Sequence, residues 1–179
     1  GQQLSAESLP ALPDALLHAR AAVTADNVYV AGIDASGKSR LFSIMPAASD
    51  AQWQAHAGWL GDAVPTALAA QTSAVFATVQ GSGADGEHIL RWSSEYGWQD
   101  KGAVPGNVLP GSARASGQAH VIYLVAAGNA APQMMTFQTI TGSWATLPDS
   151  DVAGAVVAAA LDNGVLSARP AADGMGIAF

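Results

Sequence analysis

Two arginines are the residues whose type and spacing point most directly to ligand chemistry. Arg20 and Arg114 each stand nine residues before a tyrosine, at positions 29 and 123, in similar apolar runs. Guanidinium groups at such matching positions on the first strand of a repeated unit could hold a carboxylate through paired hydrogen bonds. The alternative is that both groups bond to backbone carbonyls where their strands begin. The sequence leaves both interpretations open.

Two glycine-rich segments match nucleotide-binding patterns. Residues 32–39 read Gly-Ile-Asp-Ala-Ser-Gly-Lys-Ser, the pattern of a phosphate-binding loop, but that loop works only where a helix begins at its end. Here Pro46 leaves room for barely two helical turns. Residues 81–86 spell a dinucleotide fingerprint and then continue in the alternation of a strand. Both segments are therefore predicted to be turns between strands.

Other catalytic and metal-binding patterns are missing from the sequence. Cysteine is absent, so disulfides, thiolate nucleophiles and zinc–thiolate sites are excluded. The four histidines show no metal-ligand spacing: His18, His56, His88 and His120. The Gly-x-Ser-x-Gly pattern of many serine hydrolases does not occur. We therefore predict no metal and no cofactor.

Composition limits the class of protein. The chain has 179 residues, is 50% hydrophobic and carries a net charge of −7. Such a chain suits one globular domain, and its acidity predicts that nucleic acid is not a partner. No apolar run approaches the roughly 20 residues of a membrane-spanning helix, so no membrane insertion is expected within this segment.

A repeat of about 45 residues organises the sequence. Trp53, Trp98 and Trp144 lie 45 and 46 residues apart, and each precedes the next apolar-Pro pair by a short segment. Between them lie runs of five to eight residues rich in Val, Tyr, Phe and Thr and bounded by Gly, Asp, Asn or Pro, which predicts short antiparallel strands. Trp59 and Trp92 fall outside the series and are the candidates for exposed aromatic contacts.

The repeat predicts an all-β protein of about four stacked units around an axis. The predicted units of this single domain are 13–60, 65–100, 105–147, and 148–179 together with 4–12. The N-terminal segment is expected to complete the last unit, because closure would remove an exposed sheet edge.

The repeat resembles the kelch-type β-propeller. The matching features are the apolar-Pro pair that opens each unit, the late tryptophan, and strands that end in glycine, at 29–32 and 123–128. Within that group the chain is similar to N-acetylneuraminate mutarotase-type propellers and to the kelch domains that precede sodium–solute symporters. The resemblance implies a periplasmic or extracellular setting and an acidic sugar as ligand. It also implies that Arg20 and Arg114 hold the sugar carboxylate, and that His18 or Asp34 contacts hydroxyl groups.

A mutarotase needs a general acid and a general base beside the anomeric carbon. The chain has only three glutamates, Glu7, Glu87 and Glu95, and none recurs at a repeated position. We therefore expect a non-catalytic carbohydrate-sensing or protein-interaction module, the ectodomain of an exported or membrane-linked protein. The alternative is a mutarotase or epimerase acting on an acidic sugar such as N-acetylneuraminate. The partner is expected to be an acidic sugar or another protein, and the oligomeric state is left open.

Overall fold

The computed structural model describes residues 8–81, 86–116, 120–127, 132–147, 156–161, 164–170 and 177–178. All regular structure in these residues is β-strand. The prediction of an all-β, antiparallel protein is therefore confirmed. The described part of the chain contains no helix long and apolar enough to cross a bilayer.

Four antiparallel sheets follow one another along the chain. The first contains β1 Leu17–Val23, β2 Val28–Ile33, β3 Ser39–Ile44 and β4 Gln54–Ala57. The second contains β5 Val64–Gln71, β6 Ala74–Gln80, β7 Glu87–Ser93 and β8 Gly97–Ala103. In both, strands adjacent in the sequence are adjacent in the sheet, as antiparallel pairing allows.

The third and fourth sheets repeat this order with changes. The third contains β9 Asn107–Val108, β10 Arg114–Ala115, β11 Val121–Ala127, β12 Gln133–Gln138 and β13 Ser143–Thr146, and both β9 and β10 pair with β11. The fourth contains β14 Val156–Leu161, β15 Gly164–Pro170 and β16 Ile177–Ala178. The first strand of the third sheet is thus split in two.

Alternating side chains of the second sheet build two cores. One face packs against the third sheet, where Phe76 meets Phe137 with ring centroids 6.4 Å apart. The other face packs against the first sheet through residues such as Leu68 and Val75. Successive side chains of a strand point to opposite faces, so one apolar sheet serves both neighbours. Such two-sided burial explains the nearly continuous apolar runs in the sequence.

The first strands of the sheets lie beside one another: β1 contacts β5, β5 contacts β10, and β10 contacts β14. β1, β5 and β14 each show a register shift near the start, the mark of a β-bulge. In the third sheet residues 109–113 separate β9 from β10. An interruption at the same place in every first strand locally redirects the side chains that follow it.

The predicted closure of the last unit by residues 4–12 lies partly outside the described residues. Residues 8–12 are described and belong to no strand. The carbonyl of Pro10 accepts a hydrogen bond of 2.8 Å from the indole of Trp53, in the first unit. Closure of the last unit by this segment stays a prediction.

Candidate functional site

The first strands enclose a cavity of about 550 Å³, which we call the first cavity. Three elements line it: the later half of β1, the later half of β5, and β10 with the residues before it. Its walls are mainly small side chains, namely Ala19, Ala21, Ala22, Ala69, Ala70, Ala113 and Ala115. Arg20 and Arg114 both line this cavity. The structure therefore brings together the two arginines that the sequence singles out.

Arg20 follows the bulge of β1 and reaches across to β5. Its Nε donates a hydrogen bond of 2.7 Å to the carbonyl of Thr66, and its Nη1 donates one of 3.0 Å to the carbonyl of Ala19. Thr66 is itself the extra residue of the β5 bulge. The same Thr66 carbonyl accepts the backbone N–H of Gly111 at 2.9 Å. The carbonyl of the bulge residue Thr66 thus links β5 to β1 and to the segment between β9 and β10.

Arg114 is held in a similar way. Its Nη1 donates to the carbonyls of Gly111 and Ala113 at 2.9 and 2.7 Å. The equal spacing in the sequence does not give equal register, since Arg20 pairs with Ala31 whereas Arg114 pairs with Tyr123. The two arginines thus share a cavity but are displaced by two residues along their strands.

These bonds confirm that both arginines bond to backbone carbonyls. They do not prevent the arginines from also binding a carboxylate. Among the described residues no carboxylate forms an ion pair with Arg20 or Arg114. A guanidinium offers more N–H groups than these bonds use. The cavity therefore contains two fixed positive charges whose described partners are neutral, and an anionic ligand would complement them.

A second cavity of about 450 Å³ opens at the other end of the first strands. It is lined by the early residues of β1 and β5 and by connecting residues: His18, Arg20, Asp62, Val64, Pro65, Thr66, Gln80, Gly81 and Pro110. The early halves of β1 and β5 line this cavity and their later halves line the first, so the two strands run in the same direction. Arg20 alone among the charged residues lines both cavities.

His18 lies at the β1 bulge, exposed, with φ at 54°. Positive φ is uncommon for a residue with a side chain and costs backbone energy. The bulge places His18 beside Arg20 in the second cavity.

Asp34 lies elsewhere, in the turn between β2 and β3, and lines neither cavity. Its carboxylate accepts hydrogen bonds from the Ser36 hydroxyl at 2.6 Å, from the backbone N–H groups of Ser36 and Lys38 at 2.8 and 3.0 Å, and from Arg40 Nε at 2.7 Å. The Ser36 hydroxyl first, and then the other donors, hold the pKa of Asp34 well below its usual range. These contacts make Asp34 the organiser of a turn, and its position gives no support to the expected contact with a ligand hydroxyl.

The segment that matches a phosphate-binding loop is this same turn. The backbone N–H of Asp34 bonds to the Lys38 carbonyl at 2.8 Å, and Gly37 has φ at 81°. Strand β3 begins at Ser39, where a nucleotide-binding protein would need a helix. The second glycine-rich segment connects β6 to β7, which pair at Gln80 and Glu87, and its residues 82–85 lie outside the described part.

The tryptophans outside the repeated series are not free aromatic platforms. Trp59 is 5% exposed, and its indole donates to the Ala63 carbonyl at 2.8 Å. Trp92 packs against His56, with ring centroids 4.6 Å apart. The expectation that they serve as exposed contacts is wrong for Trp59, because the connection after β4 folds it into the core between two sheets.

Glu87 is the buried acid that the sequence reasoning missed. It is 2% exposed, and its carboxylate accepts hydrogen bonds from the Thr66 hydroxyl and from the backbone N–H of Val108. Burial raises its pKa, although these two bonds act in the opposite direction. A single Glu at the edge of an alternating strand predicts a solvent-facing side chain, so no local signal could have revealed it. Among the described residues no group of three His, Asp or Glu is arranged to hold a metal ion.

Comparison with protein-family models and with curated protein sequences gives no match. Solved structures do match. One of them is the structure of YjhT, with a TM-score of 0.57 and 15% sequence identity, over 82% of this chain and 56% of that chain. The chain thus spans little more than half the length of that structure. With the all-antiparallel sheets, this likeness shows a kelch-like β fold.

Proposed function

We propose that this protein is a non-catalytic binding module whose four sheets are the blades of a β-propeller, and that it holds an acidic sugar in the first cavity. The observation that carries the proposal is the meeting of Arg20 and Arg114 in a cavity of about 550 Å³ with no carboxylate paired to either among the described residues. The kelch-like fold agrees with the resemblance to kelch-type propellers, and that resemblance suggests an acidic sugar as the ligand.

The small walls of the first cavity support a role in binding. Alanine side chains leave room for a ligand, and they offer no group that could donate or accept a proton. The carbonyl bonds hold each guanidinium in place before a ligand arrives, which reduces the entropy lost on binding. A carboxylate would then accept charge-assisted hydrogen bonds from N–H groups that the carbonyls do not use.

The alternative is a mutarotase acting on the same class of sugar. The observation that favours it is His18, which lines the second cavity next to Arg20 and carries an imidazole, the side chain most often used for general acid–base catalysis. For either role we propose a periplasmic or extracellular setting, as part of an exported or membrane-linked protein. A protein partner on the outer surface is compatible with both.

NMR with N-acetylneuraminate separates the two. We expect saturation transfer from protein to sugar without faster exchange between the anomers. Arg20→Gln and Arg114→Gln should each weaken binding by roughly tenfold or more, because each removes a charged donor from the cavity. Arg91→Gln is the matched control, since Arg91 lies on β7 and lines neither cavity.

Three outcomes would count against the proposal. Accelerated anomeric exchange would favour the mutarotase. An equal loss in the Arg91 control would mean that only net charge matters. An absence of saturation transfer at millimolar sugar would overturn the acidic sugar as ligand.

A further inference from the structure

The second cavity contains opposite charges that are not paired with each other. Arg20 supplies a guanidinium and Asp62 supplies a carboxylate. Within the described ranges neither residue takes part in an ion pair. The cavity therefore presents one positive and one negative group, and a ligand that carries both charges would complement them.

The geometry explains why Arg20 does not turn toward Asp62. Its guanidinium is fixed by the carbonyls of Thr66 and Ala19, at 2.7 and 3.0 Å. Asp62 lies in the connection between β4 and β5, exposed, two residues before β5 begins. The positive group therefore belongs to the bulged first strands and the negative group to the rim of the cavity.

We propose that the second cavity is a binding site for a zwitterion, an α-amino acid with a polar side chain. The ligand carboxylate accepts hydrogen bonds from Arg20, and its ammonium group donates to Asp62. His18 and Gln80, which also line the cavity, offer donors and acceptors to the ligand side chain. The volume of about 450 Å³ lies in the range of small-molecule sites.

Two further features favour a site over an incidental hollow. The β1 bulge, where His18 has φ at 54°, places this residue in the lining of the cavity. Pro65 and Pro110, on neighbouring walls, hold their backbone in fixed conformations. Both features limit how far the backbone of this cavity can rearrange.

The experiment compares three ligands that differ by one charge. L-Glutamine has both charges, glutaramate lacks the ammonium group, and 4-aminobutanamide lacks the carboxylate. Titrations followed by NMR chemical shifts should give glutamine an affinity at least about tenfold above either analogue, because each charge adds a charge-assisted hydrogen bond. Equal affinities for glutamine and glutaramate would overturn the proposal.

Variants then assign the charges. Asp62→Asn should reduce the affinity for glutamine to that for glutaramate and leave glutaramate binding unchanged, while Arg20→Gln should weaken both. Asp26→Asn is the matched control, an exposed carboxylate in the turn between β1 and β2. If Asp62→Asn and Asp62→Ala, both folded by circular dichroism, bind glutamine as the control does, the proposal is wrong.

The zwitterion site shares Arg20 with the acidic-sugar site and differs from it by Asp62. Asp62 lines only the second cavity, so its variants test this site alone. If the protein binds glutamine but shows no saturation transfer to N-acetylneuraminate, the proposed function is overturned and this inference stays in place. The reverse pattern would overturn only the inference.

Discussion

At the scale of single residues, Asp34 shows how one carboxylate organises a tight turn. Four hydrogen-bond donors surround it, from Ser36, Lys38 and Arg40. The charged form is favoured in the folded state because these donors bond best to a carboxylate. The β2–β3 turn therefore depends on the ionisation of one side chain.

We predict that Asp34→Asn lowers the melting temperature at pH 7. The melting temperature of this variant should also fall less than that of the wild type as the pH is lowered. The folded pKa of Asp34 is depressed, so its contribution is present above the unfolded pKa of about 4 and is lost as pH falls toward the folded value. Circular dichroism melts between pH 2 and pH 7 measure this. Asp26→Asn is the control. If the melting temperature of the Asp34 variant falls between pH 7 and pH 2 as much as that of the wild type, the prediction is contradicted.

Glu87 presents the opposite case, a carboxyl group whose pKa is raised by burial. A raised folded pKa means that its protonated form favours folding, an effect complete below the unfolded pKa of about 4.3 and lost as pH rises through the folded pKa. We predict that wild-type stability falls over this range and that Glu87→Gln removes this part of the slope. Urea unfolding at pH 4 and pH 7 would show it, and identical slopes in both proteins would contradict it.

Glu87→Ala tests the bond that this side chain makes to another sheet. The substitution leaves the buried N–H of Val108 without its acceptor, which costs about 1–3 kcal/mol. Glu87→Gln should cost less, since its amide oxygen can accept from Val108 while its nitrogen donates to Thr66. Urea unfolding at pH 7 compares the two, and an equal loss in both would contradict the assignment.

At the scale of elements, the end of β4 passes very close to the start of β3. A Cβ at Gly58 would clash with the backbone oxygen of Ser39. The Ser39 hydroxyl also donates a hydrogen bond of 2.6 Å to the carbonyl of Trp59. This bond holds the backbone at Ser39 close to the backbone at Gly58. Only glycine fits, because the obstructing atom is backbone and cannot rotate away.

We predict that Gly58→Ala destabilises the protein by about 1–3 kcal/mol, since the strands must separate to admit the methyl group. Ala57→Ser, an exposed substitution one residue earlier, should be nearly neutral. Thermal unfolding of both variants measures the difference. A melting temperature of Gly58→Ala equal to that of the control would show that this approach is not tight.

At the scale of the whole molecule, the first sheet is covered on both faces. Leu41 points toward the second sheet, so Phe42 and Ile44 point away from it, yet each is only 1% exposed. Leu16 lies against Gly32 on that far face, where a Cβ on the glycine would come within 3.0 Å of it. The face of the first sheet that points away from the second sheet is therefore also buried at Phe42 and Ile44.

We predict that Phe42→Ala costs about 3–5 kcal/mol, as much as Phe76→Ala between the second and third sheets, because both side chains are fully buried. Urea unfolding, analysed with a two-state fit, gives both values. A cost near 1 kcal/mol for Phe42 would mean that its face is only loosely covered. Such a result would contradict the two-sided burial of the first sheet.

The amino-acid sequence was enough to predict the class of fold and to single out Arg20 and Arg114 as candidate ligand-binding residues. Short apolar runs between Gly, Asp and Pro specify strands and turns locally, so the all-β antiparallel prediction needed no long-range information. The prediction of a turn within residues 32–39 is confirmed, since β2 ends at Ile33 and β3 begins at Ser39. The family resemblance, beyond a kelch-like fold, remains an expectation.

Which side chains lie together follows from the three-dimensional fold and could not be read from the sequence. Register depends on bulges and on pairing across the sheet, and equal spacing in the sequence therefore did not put Arg20 and Arg114 at the same level. The burial of Glu87 arises from Thr66 and Val108, which lie 21 residues away on either side of it. The cavity that collects Arg20, Asp62 and His18 is formed by residues from separate sheets and connections, and no local pattern encodes that meeting.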